Sequence, residues 1–194
     1  MPSKKTSIPE DSKEILTAEF NYIAATATQA NEDRARAASF YLISVGSLVA
    51  ALFSTQLIEN SDTPTFRLLF SGLFLILTFL GTTTILQLAR LRLAWYESML
   101  AMNQIKEYAI EKDKGLQNAF RWKKTTAPPL YKTDSISFQQ TLEVASLCGL
   151  TFGAAVYFAA SSGCVICTWL YTIFSALFVF LLELNIYKRK LTKK

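Results

Sequence analysis

Residues 170–182 read LYTIFSALFVFLL and residues 70–80 read FSGLFLILTFL, neither with a charged side chain. Each lies in a longer apolar run, 165–187 and 68–89. An α-helix rises about 1.5 Å per residue, so about 20 apolar residues cross a hydrocarbon layer about 30 Å thick. Both runs reach that length. Two further runs, 39–57 and 142–160, stand at its short end. The second of these draws on Ala, Gly and Ser and inserts only beside neighbouring helices; leaving it out gives a three-span alternative. The expected fold is an all-α membrane protein with about four transmembrane helices in two hairpins.

Charge follows the same division. Of 194 residues 51% are hydrophobic and 18% charged, below the roughly 25% charged of a soluble domain, and the charges gather between the runs. Translocating Lys and Arg is disfavoured, so short connections keep them on the cytoplasmic side. Lys4, Lys5, Lys13, Arg34 and Arg36 precede the first run, nine more fall within 90–132, and Lys188, Arg189, Lys190, Lys193 and Lys194 follow the fourth. Arg67 alone is left for the two short connections. Both termini and the long middle connection are therefore expected in the cytoplasm, in a multi-pass protein of the inner membrane. The net charge of +5 then reads as anchorage to anionic head groups, at about 1 kcal/mol per basic residue near such a surface, and not as nucleic-acid binding. Trp95, Trp122, Trp169, Tyr41 and Tyr187 suit the same interface. No cleavable leader is expected, because the first apolar run starts near residue 39 behind a charged stretch.

Residues 1–12, with two Pro and several Ser and Lys, read as a disordered lead. A cytoplasmic amphipathic helix is expected over 13–38, capped by Asp11 or Ser12, with Leu16, Phe20, Ile23, Ala27 and Ala30 recurring at spacings of four and three. Only Gly46 interrupts the helical pattern before Leu57, so this helix runs into the first hairpin, 39–89. Residues 90–114 extend the second span inward, with Leu93, Tyr96, Leu100, Asn103 and Glu107 down one side. The two projections carry stripes rich in Ala, Met and Tyr, which suits packing on each other or on another subunit better than lying flat on lipid. Gly115 and the run Ala127-Pro128-Pro129 make 115–141 a connector. Asp134 or Ser135 is placed to cap the helix entering the second hairpin, 142–187, and 188–194 form a basic tail.

The sequence contains no His. That removes the commonest general base and metal ligand, and with it Ser-His-Asp, Cys-His and His-containing zinc sites. Walker A, dinucleotide-binding and kinase patterns are missing as well. Neither enzymatic activity nor a metal or cofactor is expected. Cys164 and Cys167 have the spacing of a redox pair, but the Val and Ile between them belong to a span, so packing is the plainer reading. Cys148 reads as a small apolar residue inside span three.

Ala145, Gly149 and Gly153 are four apart, a strip on which a second membrane helix approaches closely, within or between subunits. Gly46 and Ala50 offer a shorter strip in span one. Glu143 and Glu183 are the acidic residues closest to hydrocarbon, where an acidic side chain at the bilayer centre costs roughly 2.5–3.5 kcal/mol. They pair with Arg90 or Arg92, or else they line, with Gln87 and Asn185, a polar path that several subunits are needed to enclose. Asn31, Glu32, Asp33, Arg34 and Arg36 lie where the first helix reaches the membrane. They form ion pairs with neighbouring helices or couple the cytoplasmic helices to the spans.

A cytoplasmic helix carrying Asn31-Glu-Asp-Arg34, running into a membrane hairpin whose second helix continues inward over 96–111, resembles the SLATT-type and related four-span membrane effectors of bacterial conflict systems. The resemblance covers residues 14–112 and lies in layout; the second hairpin departs from the two-span form. It implies an oligomeric effector that disrupts or permeabilises the inner membrane when a sensor partner detects infection, in antiphage defence. The expected function is thus an oligomeric effector or pore-forming subunit regulated through its cytoplasmic helices. The alternative is a non-conducting scaffold or sensor that recruits a soluble cytoplasmic partner. Its expected partners are the lipid bilayer, further copies of the chain and a soluble protein.

Overall fold

A computed structural model describes residues 10–54, 63–160 and 164–192. Four long helices hold nearly all of them: α1 (Glu10–Ser54), α2 (Pro64–Lys112), α3 (Ile136–Ala159) and α4 (Val165–Thr192). Two short 3₁₀ turns, Lys114–Asn118 and Lys124–Thr126, lie in the connector, and no strand occurs among the described residues. Each long helix is apolar enough and long enough to cross a bilayer, the pattern of a multi-pass membrane protein. Of the disordered lead expected over 1–12, residues 1–9 lie outside the described residues, as do the last two residues of the basic tail, while 10–12 are helical.

The helix boundaries follow local chemistry. α1 begins at Glu10, so Asp11 and Ser12 stand in its first turn. α2 begins at Pro64, which has no N–H to leave unpaired at a helix start. It ends at Lys112, after which Asp113 accepts a hydrogen bond from Gly115 N at 2.9 Å. Ser135, not Asp134, caps α3 by accepting from Phe138 N at 3.2 Å.

The chain divides into two compact units. The first joins the residues up to Asp33 with Leu91–Lys132; the second joins Arg34–Arg90 with Thr133–Lys194. Two of the three boundaries, Asp33/Arg34 and Arg90/Leu91, fall inside helices, so α1 and α2 each contribute residues to both units without a break; the third, Lys132/Thr133, lies in the connector. Among the described side chains of α1 the buried ones are Ile23, Ala27, Ala30, Arg34, Ala38, Tyr41 and Val45, one stripe at spacings of three and four through its middle.

In the second unit α3 and α4 run antiparallel. The Ala145, Gly149 and Gly153 strip faces α4 within the same chain: a methyl group added at Gly149 would lie 2.6 Å from the carbonyl oxygen of Ala176, and one at Gly153 3.2 Å from that of Thr172. Gly46 and Gly72, by contrast, have nothing within 4 Å of such a methyl group. Apart from Thr168 near its start, the buried residues described in α4 form one ladder, Val179, Glu183, Tyr187 and Leu191, four residues apart. Ile166, Leu170, Ile173, Phe174, Leu177, Phe178, Leu181 and Leu182 are exposed, a surface that lipid tails accept without penalty.

Candidate functional site

Glu183 belongs to the inward ladder of α4, so the helix carries its carboxyl into the second unit and away from lipid. It is 2% exposed. α2 meets it with Thr78 and Thr82, one helical turn apart, and α3 with Cys148 and Thr151. α1 contributes Tyr41, which is 1% exposed. Gly81 makes this convergence of four helices possible: a methyl group there would lie 2.6 Å from Tyr41 Oη and 2.9 Å from Cys148 Sγ.

Thr82 Oγ1 donates to Glu183 Oε1 at 2.5 Å. Cys148 Sγ stands 3.6 Å from the same oxygen and 3.3 Å from the carbonyl oxygen of Thr78. The hydroxyls of Thr78 and Thr151 share a hydrogen bond at 3.0 Å. Two buried atoms in this cluster, Glu183 Oε2 and Tyr41 Oη, have no hydrogen-bond partner. Burying a carboxylate without a cation costs several kcal/mol, and a hydroxyl and a thiol are all that Glu183 has been given. Among the described residues no three of Cys, Asp and Glu come together as a metal site.

Of the residues expected on a polar path, Glu183 alone is buried here. Gln87, Arg90, Glu143 and Asn185 are all exposed. Arg92 is buried in the first unit, where its Nε donates to the carbonyl oxygen of Leu130 at 3.2 Å and its guanidinium lies 4.4 Å from the Trp95 ring centre. In the charged segment of α1, Asn31, Glu32 and Arg36 are exposed and Asp33 half-buried, whereas Arg34 is buried and donates from Nε to Gln140 Oε1 of α3 at 2.9 Å. Arg67 donates to the carbonyl oxygens of Phe158 and Ala160 at the end of α3.

Sequence reading passes over Thr78, Thr82 and Thr151, takes Cys148 as a small apolar residue, and assigns Tyr41 and Tyr187 to the membrane interface. Tyr187 is instead 2% exposed and bonded through its hydroxyl to Ser137 Oγ at 2.9 Å. Apolar runs conceal such residues, because a lone Thr or Cys costs little in a span. The available signal is the period: Thr78 and Thr82 share a helix face with Ile85 and Ala89, and Glu183 shares one with Tyr187.

No protein-family model, curated protein or solved structure matches this chain.

Proposed function

We propose that the chain is a subunit of an oligomeric inner-membrane effector, a pore-forming one, regulated through cytoplasmic helices. The observation that carries this reading is the continuity of α1 and α2, 45 and 49 residues long, each of which belongs to both compact units. A helix without a break transmits displacement along its axis, so an event sensed by the first unit reaches the apolar parts of α1 and α2. The distribution of Lys and Arg places the first unit and both termini in the cytoplasm. The layout over residues 14–112 supports a role in antiphage defence.

Conduction needs a polar face outside the single-chain bundle, and Gln139, Glu143 and Ser146 supply one. All three are exposed on α3 at spacings of four and three. Side by side in a ring of subunits, these strips line a water-filled path. Light scattering of the detergent-solubilised protein, corrected for detergent, together with ion flux from liposomes, tests this. A closed oligomer whose flux falls several-fold in Glu143→Gln is the expected result.

A second reading, a non-conducting scaffold or sensor that recruits a soluble partner, is favoured by the enclosure of Glu183 within one chain and by the exposed Leu, Ile and Phe side chains of α4 between Ile166 and Leu182. A monomer or dimer without flux would sink the pore in its favour.

A further inference from the structure

The first unit contains a hollow of about 270 Å³. Trp95, Met99 and Met102 of α2 form one wall, and Trp122 and Pro128 of the connector form the other. Sites for small organic molecules are mostly apolar, begin at about 300 Å³ and carry a few placed polar groups. This hollow is at the small end of that range, with room for one or two fused rings. Two indole rings and two thioethers offer flat, polarisable contacts of the kind that aromatic rings prefer.

Its two polar members, Asn103 and Lys106, define what else the occupant carries. Asn103 is 2% exposed, and its Nδ2 is buried without a hydrogen-bond partner. A buried donor left unmatched costs about 1–3 kcal/mol, so an acceptor that comes within its reach is rewarded. The ammonium group of Lys106 rests near two aromatic rings, 6.0 Å from the centre of Phe20 and 5.9 Å from that of Phe120. Ring faces hold a cation in place but leave its charge uncancelled, and the contacts of Lys106 found among the described residues are to these rings. The guanidinium groups of Arg92 and Arg121 lie 4.4 Å and 5.9 Å from the rings of Trp95 and Trp122. Each indole that lines the hollow therefore carries a cation on its flank.

We propose that this hollow is a binding site for a small planar organic anion, an aromatic carboxylate of one or two rings. The rings lie between Trp95 and Trp122, and the carboxylate accepts from Lys106 and Asn103. Because Trp95, Met99, Asn103 and Lys106 stand on the same helix as the apolar run of α2, occupancy acts on a helix shared by both units. The site itself stands whether or not the protein conducts.

The test is equilibrium dialysis of the full chain in phosphatidylcholine nanodiscs against 2-naphthoate, with empty nanodiscs as the blank. Saturable binding of one 2-naphthoate per chain is expected. Neutral 2-naphthamide, of the same shape, binds at least about tenfold more weakly, since a charge-assisted hydrogen bond is roughly twice as strong as a neutral one. Lys106→Gln weakens 2-naphthoate to a similar degree, Lys106→Arg restores most of the loss, and Trp122→Ala, which alters a half-exposed side chain, weakens both compounds. Binding no greater than in empty nanodiscs overturns the proposal. So does equal binding of acid and amide, or affinity unchanged by both Lys106→Gln and Trp122→Ala.

Discussion

Thr82 of α2 and Glu183 of α4 meet at 2.5 Å, the hydroxyl donating to Oε1, while Oε2 of the same carboxyl is buried without a partner. This asymmetry makes the stability of variants informative. Thr82 and Cys148 each have a second acceptor within reach, the carbonyl oxygen of Thr78, at 3.2 Å and 3.3 Å. Removing the carboxyl therefore strands neither donor. Replacing a buried polar group by an apolar one of similar shape is then near neutral or stabilising. Glu183→Met is expected to unfold at the same temperature as the parent or higher, whereas Thr82→Val, which strips Glu183 of its hydroxyl donor, loses about 1–3 kcal/mol. Thermal unfolding of both in one detergent decides it. If Glu183→Met is stable but no longer impairs the growth of cells that overexpress the parent, the carboxyl serves function and not folding.

The Gly residues separate contacts inside the chain from contacts between chains. A methyl group at Gly149 would come within 2.6 Å of backbone on α4, so Gly149→Ala forces the two helices apart. Overpacking of this kind costs about 1–3 kcal/mol. At Gly46 nothing lies within 4 Å, and Gly46→Leu is expected to leave the unfolding temperature unchanged to within the effect of about 0.5 kcal/mol. The same variant reports on assembly. If Gly46 and Ala50 mark where copies of span one meet, its mass by light scattering falls below that of the parent oligomer although the fold is intact.

What the sequence discloses and what it conceals divide along physical lines. The four apolar runs are legible because a bilayer imposes a length and a composition that nothing else requires. Capping of α3 is legible to within one residue, since Ser135 follows Asp134 and both suit the role. The tight strip of Gly149 and Gly153 is legible as a contact, but its partner is not, because spacing alone does not distinguish a helix of the same chain from one of another. The cluster around Glu183 is hidden for a related reason. Thr82 and Cys148 are unremarkable in their own helices and acquire meaning only when α2, α3 and α4 are brought together. The hollow between α2 and the connector is hidden more deeply, since Trp122 lies outside any periodic element that would give it a facing direction.

Arg67 illustrates a charge whose role changes once the fold is known. By count it is the single basic residue in the short connections, which are expected to be external on that ground. In the fold it donates to the carbonyl oxygens of Phe158 and Ala160, groups that a helix end leaves without partners of its own. Arg67→Met is expected to destabilise the protein by about 1–3 kcal/mol. Arg67→Lys recovers part of this, because a single ammonium does not reproduce the fork of the guanidinium. Thermal unfolding of the two variants beside the parent measures the difference; equal melting of all three would remove the capping role.

Cys164 offers a test of orientation with its own pH signature. It stands exposed immediately before α4, and its thiol is held below the ordinary range, first by a hydrogen bond from the Cys167 side chain and next by the backbone N–H of Cys167, 3.3 Å away. A lowered thiol range means more thiolate at a given pH, and the thiolate is the form that reacts. Labelling by a membrane-impermeant maleimide therefore reaches half its maximum rate at a lower pH than for an unperturbed cysteine. Cys167→Ala removes the stronger donor and moves that midpoint upward. Buried Cys148 stays unlabelled until the protein is unfolded. In intact spheroplasts Cys164 is expected to react without permeabilisation, as the distribution of Lys and Arg requires. Labelling that appears only after the membrane is opened would invert the topology and move the hollow of the first unit, with its uncancelled Lys106, to the outer side.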